Sequence, residues 1–216
     1  MGSRDIKEAR AIDLDLDSIT LAGILTPPEG PRGTVIFAHG SGSSRFSPRN
    51  RLVARYLQDA GLGTLLFDLL AAAEDAVYEN RFDIGLLARR LKAATERLLR
   101  YPEGKGRKIG YFGASTGSAA ALQAAAELGP IISAVVSRGG RPDLAERYLP
   151  LVGAPTLLIV GEYDEVVLRL NRTALGLLAG EKRLSVVPRA THLFEEPGAL
   201  DEVAKMAGDW FVSYLT

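Results

Sequence analysis

Two runs near the start of the chain, Ile12-Asp13-Leu14-Asp15-Leu16 and Ser18 to Leu25, alternate apolar and polar side chains on either side of Asp17-Ser18. A period of two with one wet face predicts an antiparallel hairpin at one edge of a sheet. Pro27 through Gly33 is a breaker cluster, and after it the pattern changes to short, almost continuous apolar runs separated by longer segments with helical spacing. That alternation predicts strands near 34–38, 63–67, 107–112, 133–137, 155–160 and 183–187, and helices near 48–60, 83–100, 116–128, 166–179 and 198–214. With the hairpin the strands number eight. The expected fold is α/β: one doubly wound, mostly parallel sheet in a single domain over 1–216. The charges opposite the apolar stripe of Arg90 to Leu99 are a solvated face, and Trp210 and Phe211 fall on the apolar side of the last helix.

A doubly wound sheet places its chemistry in the loops at the carboxyl ends of its strands, and four such loops carry candidate residues. Gly113-Ala114-Ser115-Thr116-Gly117 joins the apolar run Ile109 to Phe112 to a helix of small residues, so Ser115 sits on a strand-to-helix corner where the glycines remove side chains that would collide. The chain has only two histidines. His192 follows the run Arg183 to Val187, and His39 follows Thr34 to Ala38 and opens His39-Gly40-Ser41-Gly42-Ser43. A carboxylate able to orient an imidazole comes from Gly161-Glu162-Tyr163-Asp164, after the strand 155–160, as either Asp164 or Glu162.

The order Ser115, Asp164, His192, the His-Gly-Ser-Gly loop and the strand pattern resemble an α/β-hydrolase, closest to the small, lidless dienelactone-hydrolase-like group, from about residue 10 to the end. The resemblance implies a Ser115–His192–Asp164 triad, with Asp164 preferred over Glu162 because the family's acid lies a few residues beyond this strand. It also implies an oxyanion hole from the main-chain N–H groups of Thr116 and Ser41. His39 is expected to fix its loop by hydrogen bonding. Dienelactone hydrolases proper use a cysteine nucleophile and this chain has no cysteine, so the fold and triad carry over without the dienelactone substrate. Ser137 is followed by only Arg138 to Asp143 before the chain turns helical, which leaves no room for a cap domain and predicts a shallow cleft walled by loops that include 69–81.

Composition narrows the partners. Lys plus Arg equals Asp plus Glu at 26 each, which favours neither nucleic acid nor an anionic membrane. The absence of cysteine removes disulfides and thiolate metal sites, the charged first residues do not read as a secretory signal, and the cytoplasm is the expected compartment. Neither a P-loop nor a complete G-x-G-x-x-G occurs, so no cofactor and no metal are expected. The function expected is hydrolysis of small carboxylic esters, with thioesters as a near variant. The alternative is a non-catalytic binding or scaffolding protein on the same fold. The oligomeric state is expected to be monomer or homodimer. Arg45, Arg49, Arg138 and Arg141 are candidates to clamp an anionic group of the substrate, Arg138 first among them; their other use is to pair with Asp143, Glu195 or Glu196. Glu195-Glu196-Pro197 is expected to open the last helix, where negative charge suits its dipole.

Overall fold

The computed structural model describes residues 9–16, 19–30 and 32–216. The hairpin turn expected at Asp17-Ser18 lies outside them. The sheet has eight strands: β1 (Arg10–Leu16), β2 (Ile19–Thr26), β3 (Thr34–Ala38), β4 (Gly63–Phe67), β5 (Ile109–Ala114), β6 (Ile132–Arg138), β7 (Thr156–Gly161) and β8 (Lys182–Val187). Their spatial order is β1-β2-β4-β3-β5-β6-β7-β8. β1 and β2 run antiparallel, β2 is antiparallel to β4, and every other pair is parallel.

Helices α1 (Pro48–Asp59) and α6 (Ala199–Leu215) cover one face, and α3 (Ile84–Arg100), α4 (Thr116–Leu128) and α5 (Glu165–Leu177) the other. The central strands feed both cores alternately. Val35, Phe37 and Phe112 pack with Val53 and Leu57 of α1 and Phe211 of α6, whereas Ile36, Leu65 and Tyr111 join Leu91 of α3 and Leu122 of α4. Successive side chains of a strand point to opposite faces, so strands covered on both sides read as continuous apolar runs. The edges are wetter: Asp13 and Asp15 of β1 and Lys182 and Arg183 of β8 are exposed, and charge on an edge disfavours further pairing.

β5 runs two residues further than the sequence pattern suggested. Gly113 pairs with Ala38 and Ala114 with Arg138, so the small residues read as a turn are the last ladder positions before the Ser115 corner. α4 has room to leave that corner because its buried residues are mostly small, five alanines with Thr116, Gly117 and Ser118. A Cβ on Gly113 would lie 2.5 Å from the Ser118 Cα, and one on Gly117 would lie 2.2 Å from the Ala38 carbonyl oxygen.

Two other expectations need correction. The stretch 69–81 contains a short helix α2 (Ala72–Asp75), with the Ala71 N–H donating to the Glu74 carboxylate at 3.1 Å, followed by a 3-10 turn over Tyr78–Phe82. The last helix starts at Ala199 with Asp201 and Glu202 in its first turn, while Glu196 accepts from the Thr191 N–H at 3.1 Å and hydroxyl at 2.6 Å. Those bonds hold the Glu196 carboxyl below its ordinary pKa. Between β6 and β7 the chain holds only a 3-10 segment, Pro142–Leu151, as the reading without a cap requires.

Candidate active site

Ser115 occupies the corner between β5 and α4 at φ 51° and ψ −122°, a backbone region costly for any residue with a side chain. The strain is held by the ladder beneath it: the Ser115 N–H donates to the Arg138 carbonyl at 3.2 Å, and its own carbonyl accepts from Arg141 N–H at 3.2 Å and Ser118 N–H at 3.0 Å. Ser115 stands at the N-cap of α4, yet its hydroxyl makes no capping bond. Serine is a preferred capping residue, so the corner turns this side chain away from its commonest structural task.

Asp164 repeats the pattern at the N-cap of α5, where its carboxylate makes no capping bond and accepts instead from His192 Nδ1 at 2.5 Å. Gly161 makes this meeting possible, because a Cβ there would lie 2.3 Å from the Ala190 carbonyl oxygen. The loops after β7 and β8 are then stitched together by Glu162 N–H to Val187 O and Tyr163 N–H to Ala190 O, both at 2.9 Å. Glu162, the other candidate acid, turns the opposite way and accepts from the Arg189 N–H at 2.8 Å. With Nδ1 on the carboxylate, the partly exposed His192 ring presents Nε2 as its remaining nitrogen. Gly139, at φ 51°, lies against the ring, and a Cβ there would stand 3.4 Å from Cε1.

Ser115 and His192 line one cavity of about 220 Å³ together with Gly40, Ser41, Ser43, Ser47, Arg49, Asn50, Arg138 and Leu193. Its walls are the segment after β3, the end of β6 and the His192 loop. The expected wall from 69–81 is absent from it. Leu69, Leu70 and Arg81 line a separate slot on the other side of the 39–42 loop.

His39 is buried and engaged at both ring nitrogens. Nε2 accepts from the Leu69 N–H at 3.0 Å, which leaves Nδ1 protonated to donate to the Gly40 carbonyl at 2.9 Å. Burial pushes its pKa below the ordinary histidine value. It is therefore a neutral pin between two loops. Of the two amides expected to meet an oxyanion, Thr116 N–H begins α4, where an amide has no acceptor within its own helix. The Ser41 N–H is already engaged and donates to the Thr116 hydroxyl at 2.9 Å.

The arginines divide. Arg45 is bound to Asp68 through its main-chain N–H at 2.7 Å and through its guanidinium, lies over the Phe46 ring, and does not line the cavity. Arg141 forms two bonds to Asp143, at 2.9 and 2.7 Å, which raise its pKa. Both hold loops and neither lines the cavity, whereas Arg49 and Arg138, the other two candidates, do. Among the described residues no cluster of three potential ligands could hold a metal ion, and no helix is long and apolar enough to cross a membrane.

Comparison with known proteins agrees with this fold. The model of the dienelactone hydrolase family matches residues 25–211. A crystal structure of a dienelactone hydrolase from Anabaena variabilis superimposes with a TM-score of 0.94 at 55% identity, over 97% of this chain and 99% of that one. Est1E from Butyrivibrio proteoclasticus shares the fold, with a TM-score of 0.80 at 16% identity over 94% and 98% of the two chains. A Mycobacterium tuberculosis protein named provisionally as a phosphoribosyl transferase is 54% identical over 98% of this chain. The chain spans about half the length of that relative, 51%.

Proposed function

The chain belongs to the dienelactone hydrolase family, and we propose that within it this protein is a cofactor-free serine hydrolase of small carboxylic esters, with Ser115 as nucleophile, His192 as general base and acid, and Asp164 as its orienting carboxylate. The observation that carries the reading is the Asp164–His192 bond of 2.5 Å beside a strained, uncapped Ser115 in the same cavity. Two N-cap positions that forgo capping are hard to explain by stability alone, since each gives up about 1 kcal/mol.

In this reading His192 Nε2 takes the Ser115 hydroxyl proton as Oγ bonds to the ester carbonyl carbon, and Asp164 stabilises the imidazolium formed. The carbonyl oxygen becomes an oxyanion that accepts from Thr116 N–H and from Ser41 N–H, the latter exchanging its bond to the Thr116 hydroxyl for the stronger charged acceptor. Collapse breaks the ester C–O bond, and His192 returns the proton to the departing alkoxide. Water then gives its proton to His192 as it attacks the acyl-enzyme, and the acid leaves as Ser115 regains its hydrogen. A cavity near 220 Å³ suits a small acyl group. Thioesters would follow the same route.

The phosphoribosyl transferase name belongs to a protein about twice the length of the matched region; we assign that activity to the half this chain does not match. The test is turnover of 4-nitrophenyl acetate and hexanoate. We expect a Ser115-dependent rate with burst release of nitrophenol, and Ser115→Ala turning over as fast as the wild type would refute the mechanism.

A further inference from the structure

Arg138 ends β6, beside Ala114 and the Ser115 corner. It is 7% exposed and lines the Ser115 cavity, and no side-chain nitrogen of it donates a hydrogen bond among the described residues; Nε and Nη1 are fully enclosed and unmatched. No carboxylate among the described residues pairs with it. Burial, and after it the like charge of Arg49 on the same cavity wall, lowers its pKa to about 10. Arg49 is itself only half accommodated, with one bond of 3.0 Å to the exposed Glu195 and a buried, unmatched Nε. Asn50, 2% exposed on the same wall, makes no side-chain hydrogen bond among the described residues.

A guanidinium taken out of water without a partner is among the costliest arrangements a fold can hold, and a second cation nearby raises the cost. Arg45 and Arg141 have carboxylate partners within hydrogen-bond reach, and away from the cavity Arg90, with one buried unmatched Nε, still pairs with Glu74, while Arg97, likewise with an unmatched Nε, lies over the Tyr101 ring. Of the four arginines considered for the site, the two that lack full satisfaction, Arg49 and Arg138, share one cavity, and that cavity contains Ser115; Arg138 alone leaves two enclosed nitrogens unmatched.

We propose that Arg138, supported by Arg49 and Asn50, forms an anion subsite for a carboxylate or phosphate group carried by the substrate, so that the ester cleaved at Ser115 is an anionic one. This rests on the hydrolase reading above. A guanidinium supplies a planar set of donors to an oxyanion group, and in a pocket shielded from water that pairing also fixes which way the ester lies on Ser115. Occupancy by an anion matches the donors that the free protein leaves unmatched.

The test compares two aryl esters of equal acyl length, mono-4-nitrophenyl adipate, which carries a carboxylate, and neutral 4-nitrophenyl hexanoate. In the wild type, kcat/KM for the adipate ester should exceed that for the hexanoate ester by at least about tenfold, and Arg138→Gln should collapse that ratio towards one. Arg138→Lys, which keeps a charge without the planar fork, should recover part of it. Adipate and inorganic phosphate should inhibit the wild type competitively while adipamide, the neutral isostere, does not. That measurement needs no variant to fold. Stronger inhibition by phosphate than by adipate would identify the group carried by the ester as a phosphate, and the reverse as a carboxylate.

A ratio near one in the wild type, with no inhibition by either anion, would overturn the subsite even if both esters are cleaved. Failure of the hydrolase reading looks different: neither ester turns over and Ser115 stays unmodified by a fluorophosphonate. The subsite would then stand or fall on whether adipate or phosphate raises the melting temperature of the wild type and not of Arg138→Gln.

Discussion

The two histidines of this chain sit in loops at the carboxyl ends of strands, yet the loops use them in opposite ways. His39 has both ring nitrogens committed to main-chain groups, Leu69 N–H and Gly40 O, and is 8% exposed. His192 has one nitrogen on a carboxylate, its side chain is 39% exposed, and it faces a cavity shared with a serine. The difference teaches that the position of a histidine in an α/β sheet does not set its role. The number of ring nitrogens left after the fold has been satisfied limits it: none makes a pin, one leaves a nitrogen available to act as a base.

The sharpest way to break this comparison is to exchange the consequences. His192→Gln should lower kcat/KM for a small aryl ester by about 10⁴-fold, as loss of the base does in serine hydrolases generally, while the melting temperature stays near the wild-type value. Steady-state kinetics beside thermal unfolding checks both halves. Asp164→Asn should cost about 10²- to 10⁴-fold, because an amide no longer holds the ring in the required tautomer, whereas Glu162→Gln should stay within about threefold. Equal losses from the two acids would contradict the assignment of Asp164.

The pin predicts stability effects of smaller size. His39→Ala leaves the Leu69 N–H and Gly40 carbonyl without their partner, and urea unfolding should show a loss of about 1–3 kcal/mol. Arg138→Met should act in the opposite sense. It removes a buried cation whose pKa is lowered to about 10 by its surroundings, and should raise stability by about 1–3 kcal/mol. A destabilised Arg138→Met would mean that the guanidinium has a partner the present geometry does not show.

The smallest effect is in pH. His39 in the folded protein titrates below the ordinary 6.5 of the unfolded chain. Above that value neither state carries the proton. As pH falls below it the unfolded chain binds a proton that the folded protein resists, so this contribution to stability is present at neutral pH and is lost in acid as the pH falls through the folded value. His39→Ala should unfold with a shallower loss of stability between pH of about 7 and about 5 than the wild type.

Much of this was legible in the residues, for physical reasons. Strands covered on both faces must be apolar throughout, so β3 to β7 stand out, and the corner at Ser115 is marked by glycines that clash otherwise with Ala38 and Ser118. What escaped depends on side-chain contacts across long sequence separations. Arg45 and Arg138 look alike as arginines in loops after strands, and only packing reveals that Asp68 meets the first while no hydrogen-bond acceptor among the described residues meets the second. The run Ala71-Ala72-Ala73 has no chemistry of its own, and its helical turn is held by Glu74 reaching back to the Ala71 amide. The Ser41 amide was expected to be waiting for an oxyanion, and the Thr116 hydroxyl that engages it is distant in sequence.

The most direct test of the two-histidine account is fluorophosphonate labelling followed by mass spectrometry of the modified peptide, run in parallel on the wild type, His192→Gln and His39→Ala below its melting temperature. The account predicts a single adduct on Ser115, lost in His192→Gln and retained in folded His39→Ala. No adduct on Ser115 in folded wild type, or an adduct that survives His192→Gln and vanishes in folded His39→Ala, would contradict it.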